Sequence, residues 1–345
     1  MAFLKCAKLV APRKIVIEEA PKPTPGPHEV IIEVRYCGIC GSDIHAYHGR
    51  HPFIHPPIVL GHEFSGVVHE VGESVEYVFR GQRAVVEPLL TCGRCLNCRL
   101  GDYNRCKELK VIGCQTDGAF AEFVKVPAHR VFEIPDDLDF LTAAFTEPVA
   151  VAVHAVKRAG PLAGNKVLVL GSGTIGLLVA AVSKIYGAAE VISTDIYDYK
   201  LDVALRMGAD QVVNVRRESL EEYIFKHVDP EGVDVVFECV GGVKETLEQA
   251  VKVTRRGARV VVVGVFGKPV EVNVGLVQDK ELEVKGSAVY IFKDFLDAIE
   301  LLRRRRIDVR PLATKVFSLD QVPDAFKYID EHRDTAIKVL IKVKD

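Results

Sequence analysis

Residues 166–195 read KVLVLGSGTIGLLVAAVSKIYGAAEVISTD, and this stretch decides the fold of half the chain. The apolar run KVLVL has the length of a strand buried on both faces. It ends in Gly171, Gly173 and Gly176, spaced G-x-G-x-x-G, and an apolar helical pattern follows. The first glycine suits a tight turn and the second lets backbone N–H groups approach a pyrophosphate. The third lets helix and strand pack closely. Ile175 lies in the same turn and joins the expected cofactor-binding set. Asp195 ends the next apolar run, about 20 residues on, where a carboxylate can accept from the adenosine ribose hydroxyls. A 2′-phosphate would meet charge repulsion there, so NAD is expected over NADP. Lys200 is near enough to contact either that phosphate or a ribose hydroxyl. Methyltransferases and flavoproteins carry similar turns, so the turn alone does not name the cofactor.

VDVVFECVG and ARVVVVGVFG are further apolar strands, and helical patterns alternate with them. Alternation of this kind predicts an α/β, doubly wound parallel sheet. In FKDFLDAIELLRRRRID, Phe292, Phe295, Ile299 and Leu302 form one helical stripe, and the arginine run 303–306 reads as its solvated end. The first 150 residues differ. KIVIEEAP, EVIIEVRY and SGVVHEVGESV alternate apolar and polar residues between Pro- and Gly-rich turns, which predicts a barrel-like β lobe. DTAIKVLIKVKD is strand-like and is expected to return to it. The expected division is a β domain of residues 1–150 and 290–345, and a dinucleotide domain of residues 151–289.

With 345 residues, of which 48% are apolar, the chain can bury two cores. A net charge of −2 argues against nucleic acid or a membrane surface as partner. The opening MAFLKCAKLVAPRK has no run apolar enough for a leader or a span, and a cytoplasmic protein is expected. Nine cysteines in a reducing compartment then read as ligands or small packed side chains rather than disulfides. TCGRCLNCRLGDYNRC supplies Cys92, Cys95, Cys98 and Cys106 in a lobe of about residues 90–108. Four thiolates at short spacing suit a closed tetrahedral zinc site, which is structural because no position is open. Iron–sulfur ligation uses similar spacings, but no second cluster accompanies this one.

RYCGICGSDIH and VLGHEFSG, taken with the cysteine lobe and VLVLGSGTIG in this order, resemble the zinc-dependent medium-chain dehydrogenases over essentially the whole chain. The resemblance implies a GroES-like catalytic domain beside the Rossmann domain, two zinc ions per chain, NAD and a homotetramer. It assigns Cys40, His62 and Glu63 to a catalytic zinc, with Glu147 joining directly or through water. Other members place a cysteine at that last position, and a donor set richer in oxygen is harder and more exchangeable. Asp43 is expected to fix the tautomer of His62. Cys37 reads as a packed thiol, and His48, His51, His55 and His69 as loop or surface residues.

The same resemblance implies a mechanism in which the ion acidifies a substrate hydroxyl and the nicotinamide takes the hydride. Ser42 would begin the proton relay and His45 would end it. Val263, Gly264 and residues 286–290 would border the nicotinamide. The implied function interconverts a secondary alcohol (a polyol, sugar acid or small diol) and its ketone, because TEPVAVAVHAV resembles sorbitol and L-idonate dehydrogenase-like members, and Tyr47 matches a position near substrate there. Polyol-type members carry an arginine where this chain has Val289, which removes a donor and leaves room for a diol such as butanediol. L-Threonine 3-dehydrogenase is an alternative, ranked lower because the loop HAYHGRHPFIHPP lacks the expected Trp. A zinc-independent quinone reductase, or a catalytically silent sensor or structural protein, would not need the intact donor set.

Overall fold

The computed structural model describes residues 3–344, which form two compact units. The first comprises residues 3–147, Phe295–Arg305 and 313–344, and the second Pro148–Asp294 and Arg306–Leu312. The break falls between Glu147 and Pro148, in the first turn of the helix Thr146–Ala159 and close to the expected 150, and the return begins at Phe295 against the expected 290. A change of sequence texture marks where strand patterns stop. It does not mark where packing partners change along a helix. Among the described residues no helix is long and apolar enough to cross a membrane.

The first unit is mainly β. Its larger sheet has Glu29–Gly38 near the centre, antiparallel to Glu63–Val71, to Phe123–Pro127 and to Lys338–Lys342. Val30, Ile32 and Val34 alternate into the core, which also takes Phe64, Phe120, Val339 and Ile341. Side chains of this size stabilise by about 1.5–3 kcal/mol each on full burial. The C-terminal strand pairs Leu340 with Gly38, and Gly38 also pairs with Glu63. Three segments far apart in sequence therefore end together at one edge, and the candidate site lies there.

The second unit is a six-stranded parallel sheet. Its spatial order is Gln211–Asn214, Glu190–Asp195, Lys166–Leu170, Val233–Glu238, Thr254–Val262, Glu283–Gly286. Numbered along the chain, this is the 3-2-1-4-5-6 order of a Rossmann fold. The glycine turn leads from Leu170 into the helix Thr174–Ile185. Gly171 has φ +92°, and a Cβ on Gly176 would lie 1.8 Å from the Gly171 carbonyl oxygen, so neither position admits a side chain.

The helix Phe292–Arg303 departs from its expected stripe. Phe295, Ala298 and Leu302 are buried, but Phe292 in the first turn is 49% exposed. Arg303 and Arg304 pair with Glu300 at the exposed end.

Candidate functional site

Cys40 follows the end of the central strand and caps the helix Gly41–Tyr47. Its N–H donates to Asp43 Oδ2 at 2.9 Å, and the fully buried Asp43 turns its other oxygen toward His62 Nδ1, 3.6 Å away. Burial raises the Asp43 pKa, against the pull of His62 and the Cys40 N–H. Ser42 Oγ lies 3.5 Å from the opposite ring nitrogen, Nε2. A hydrogen on Nδ1 is therefore favoured by Asp43, and Nε2 is left to accept or ligate. Cys40, His62 and Glu63 each offer a ligand atom, and these atoms lie within 4.8 Å of one another. One thiolate, one imidazole and one carboxylate at that separation fit a zinc ion with an open position.

Glu147 is buried at the start of the helix Thr146–Ala159, outside that tight group. It is near enough to act on Lys338, a residue the motifs did not single out. Lys338 is 3% exposed, and its ammonium donates to both Glu63 oxygens at 2.8 and 2.6 Å and to the Ile39 carbonyl at 3.0 Å. Burial alone would lower its pKa, but Glu63, Cys40 and Glu147 together raise it. Cys114 was also missed. It is buried, with Sγ 3.8 Å from His62 Nδ1. A lone Lys opening an apolar strand was the one available signal, and its partner lies 275 positions away.

His45 is exposed on the helix Gly41–Tyr47. What burial its ring has, with Arg50 and His48, holds its pKa below the usual histidine value. Tyr47 packs against Phe326 at 5.0 Å in the core. The neighbouring histidines have local partners: His48 with Asp330 at 2.9 Å, His51 accepting from the Phe53 N–H, and His69 against the Phe123 ring. His55 is exposed and Cys37 fully buried.

The cysteine lobe stands on the short pair Leu89–Leu90 and Lys110–Val111. Its sulfurs are 3.5 Å apart for Cys95–Cys98 and Cys92–Cys106, and 3.9 Å for Cys92–Cys98. Four sulfurs tetrahedral about zinc at about 2.3 Å would be about 3.8 Å apart, so the lobe fits that ion. Backbone N–H groups of Cys98 and Lys107 lower Cys95 to about 6. Beneath the lobe, buried Glu87 accepts from Arg130 and from the Tyr103 hydroxyl, both at 2.6 Å.

In the second unit, Asp195 organises the glycine turn. Its Oδ2 accepts from the Ser172 N–H at 2.9 Å and its Oδ1 from the N–H groups of Ile196 and Tyr197. Gly173 and Ile175 keep partial exposure while Gly171 and Gly176 are buried. Lys200 and Arg216 lie 5.1 and 5.2 Å from the Tyr197 ring. The N–H groups of Val263 and Gly264 both donate to the Glu238 carbonyl. Val289 has φ 53°, a left-handed conformation in which a β-branched residue is a rare outlier.

A GroES-like β unit with a soft–hard zinc donor set, together with a Rossmann unit, defines a zinc-dependent oxidoreductase using a nicotinamide dinucleotide. Residues 26–136 match the alcohol dehydrogenase GroES-like domain, and residues 174–304 the zinc-binding dehydrogenase family. Sorbitol dehydrogenase of Bacillus subtilis is 35% identical over 343 residues, 98% of this chain and 97% of that protein. A zinc-binding dehydrogenase from Sinorhizobium meliloti, solved with NADP, superposes with a TM-score of 0.92 at 36% identity, covering 99% and 100% of the two chains. An alcohol dehydrogenase from Escherichia coli, solved with NADH, gives 0.91 at 32% identity, with the same coverage. The chain belongs to the zinc-dependent medium-chain dehydrogenases.

Proposed function

We propose that this protein oxidises a small secondary alcohol to a ketone, reversibly and with NAD. The observation that supports this most directly is the Cys40–His62–Glu63 donor group, in which a carboxylate takes part and a second thiolate does not. When bound, zinc would polarise the substrate oxygen and the nicotinamide would accept the hydride. The chain's own residues do the rest. Cys40 and His62 would hold the ion, with the His62 tautomer fixed by Asp43. Glu63, both of whose oxygens accept from Lys338, would be an exchangeable ligand, and Glu147 would be a further carboxylate donor. Ser42 would take up the alcohol proton as its own hydroxyl proton moves on toward His45. The lowered pKa of His45 keeps it a free base at neutral pH. The four cysteines would hold a second, structural ion.

The preference for NAD rests on Asp195, held against the glycine turn where the 2′-position of a bound adenosine ribose would fall. Lys200 and Arg216, both near Tyr197, oppose it, so the preference is modest. Val289, in place of a guanidinium, favours a small diol over a sugar acid.

The test is metal content by mass spectrometry, then NAD and NADP reduction against polyols, sugar acids, diols and threonine. Two zinc ions per chain and fastest turnover of a diol or polyol with NAD are expected. One ion per chain with no turnover of any alcohol would sink the proposal.

A further inference from the structure

We propose that Glu238 is a positioning residue that fixes the spacing of two cofactor-binding loops, residues 239–242 and 263–264, around the glycine turn; this rests on the dinucleotide reading above. Glu238 is fully buried at the carboxyl end of the strand Val233–Glu238. That strand neighbours Lys166–Leu170 where the strand order reverses, the place at which open α/β sheets bind ligands.

Its contacts run both ways. Oε1 accepts from the N–H groups of Val240 and Gly241, both at 3.0 Å, and from the Thr246 hydroxyl at 2.8 Å. The backbone carbonyl accepts from Val263 and Gly264 at 2.8 and 2.9 Å. Oε2 has no hydrogen-bond partner among the described residues and faces Gly264, where a Cβ would lie 2.5 Å from it and 2.3 Å from the Gly241 nitrogen. The first loop also touches the glycine turn. The Cys239 N–H donates to the Leu170 carbonyl at 2.9 Å, and a Cβ on Gly171 would lie 2.6 Å from Val240 Cγ2.

A residue kept only to fill this space would be better apolar, because a buried carboxylate with one oxygen unpaired is costly. The carboxylate instead has three donors on one oxygen that hold the first loop close beside the second, where the bare Gly264 leaves room for it. Side chain and main chain of one residue thus place Val240 against Gly171 and set Val263 and Gly264 at the crevice.

The experiment compares Glu238→Ala, Glu238→Gln and Thr246→Val in the zinc-loaded protein, by NADH fluorescence titration and steady-state kinetics. Glu238→Ala is expected to weaken NADH binding and raise the NAD KM at least tenfold, with the alcohol KM within about threefold and zinc content unchanged. Glu238→Gln keeps the Oε1 acceptor and should restore binding to within about threefold. Thr246→Val removes one donor and should weaken NADH binding two- to threefold. It decides the matter if the alanine variant does not fold. Unaltered NADH affinity in Glu238→Ala, or in Thr246→Val where only that variant folds, overturns the proposal, even if the melting temperature falls. A wild-type protein that binds neither NADH nor NADPH overturns the dinucleotide reading itself and this proposal with it.

Discussion

The two clusters of metal donors are built in opposite ways. Cys92, Cys95, Cys98 and Cys106 lie within 15 consecutive residues, on short turns at a half-exposed lobe, and all four ligands are alike. Cys40, His62 and Glu63 come from two segments of a sheet edge, and a buried lysine from the far end of the chain answers the charge of Glu63. A local cluster needs little beyond its own turns, whereas an assembled one needs the core that brings its parts together. On the proposed function, the local cluster would use its four ligands for closure, and the assembled one would keep an exchangeable member and a position for substrate.

The largest effect is expected of Cys40→Ser. Turnover should fall roughly a thousandfold or more. One zinc ion per chain should remain in the cysteine lobe, and NADH affinity should hold. Unchanged turnover, measured with the metal content, would remove Cys40 from the ligand set.

Next in size is Lys338→Met. It leaves the Glu63 carboxylate buried without its cation, which costs about 3–5 kcal/mol in comparable pairs. Chemical denaturation of the metal-free protein should show that loss, and zinc should recover part of it by giving Glu63 another cation. Equal losses with and without zinc would mean that Glu63 never turns to the ion.

The contrast also explains what the sequence revealed. The cysteine spacing, the glycine turn and the strand alternation are local patterns, each set by turn geometry or by the period of a strand or helix. Cys40, His62 and Glu63 were proposed from the resemblance of two short motifs, and the fold brings their ligand atoms together; Asp43, three residues past Cys40, accepts from its N–H. Lys338 and Cys114 were not found, because a single residue in an apolar strand or loop says nothing of a partner dozens or hundreds of positions away. Val289 was read for the guanidinium it lacks, while its left-handed backbone depends on tertiary packing and leaves no mark in composition. Phe292 matched the helical period but falls in the first turn, where the periodic stripe leaves the core.

A third test stays with fold-assembled charge. Asp294 is buried and accepts from His154 and Lys157, both at 2.7 Å and both well over a hundred positions away. Burial alone would raise its pKa, but those two partners and the Ile291 N–H hold it below the usual aspartate value. A lowered carboxylate pKa adds stability above the unfolded value of about 3.9 and loses it as the pH falls further. Asp294→Asn should therefore cost about 2 kcal/mol at pH 7, and its gap from wild type should narrow below about pH 4. A gap constant with pH would show that shape, not charge, holds this cluster.

The smallest effect belongs to the local cluster. Arg94, between two of the four cysteines, pairs with Glu108 at 3.1 Å, but both side chains are more than half exposed. Water and salt screen such a pair, and ordering two long side chains offsets what attraction remains. Arg94→Ala should leave the unfolding midpoint and the zinc content unchanged, at low and at high salt alike. If it instead released zinc from the lobe, the four thiolates would depend on a counter-charge as Glu63 depends on Lys338. The division between a self-sufficient cluster and an assembled one would then fail at its simpler end.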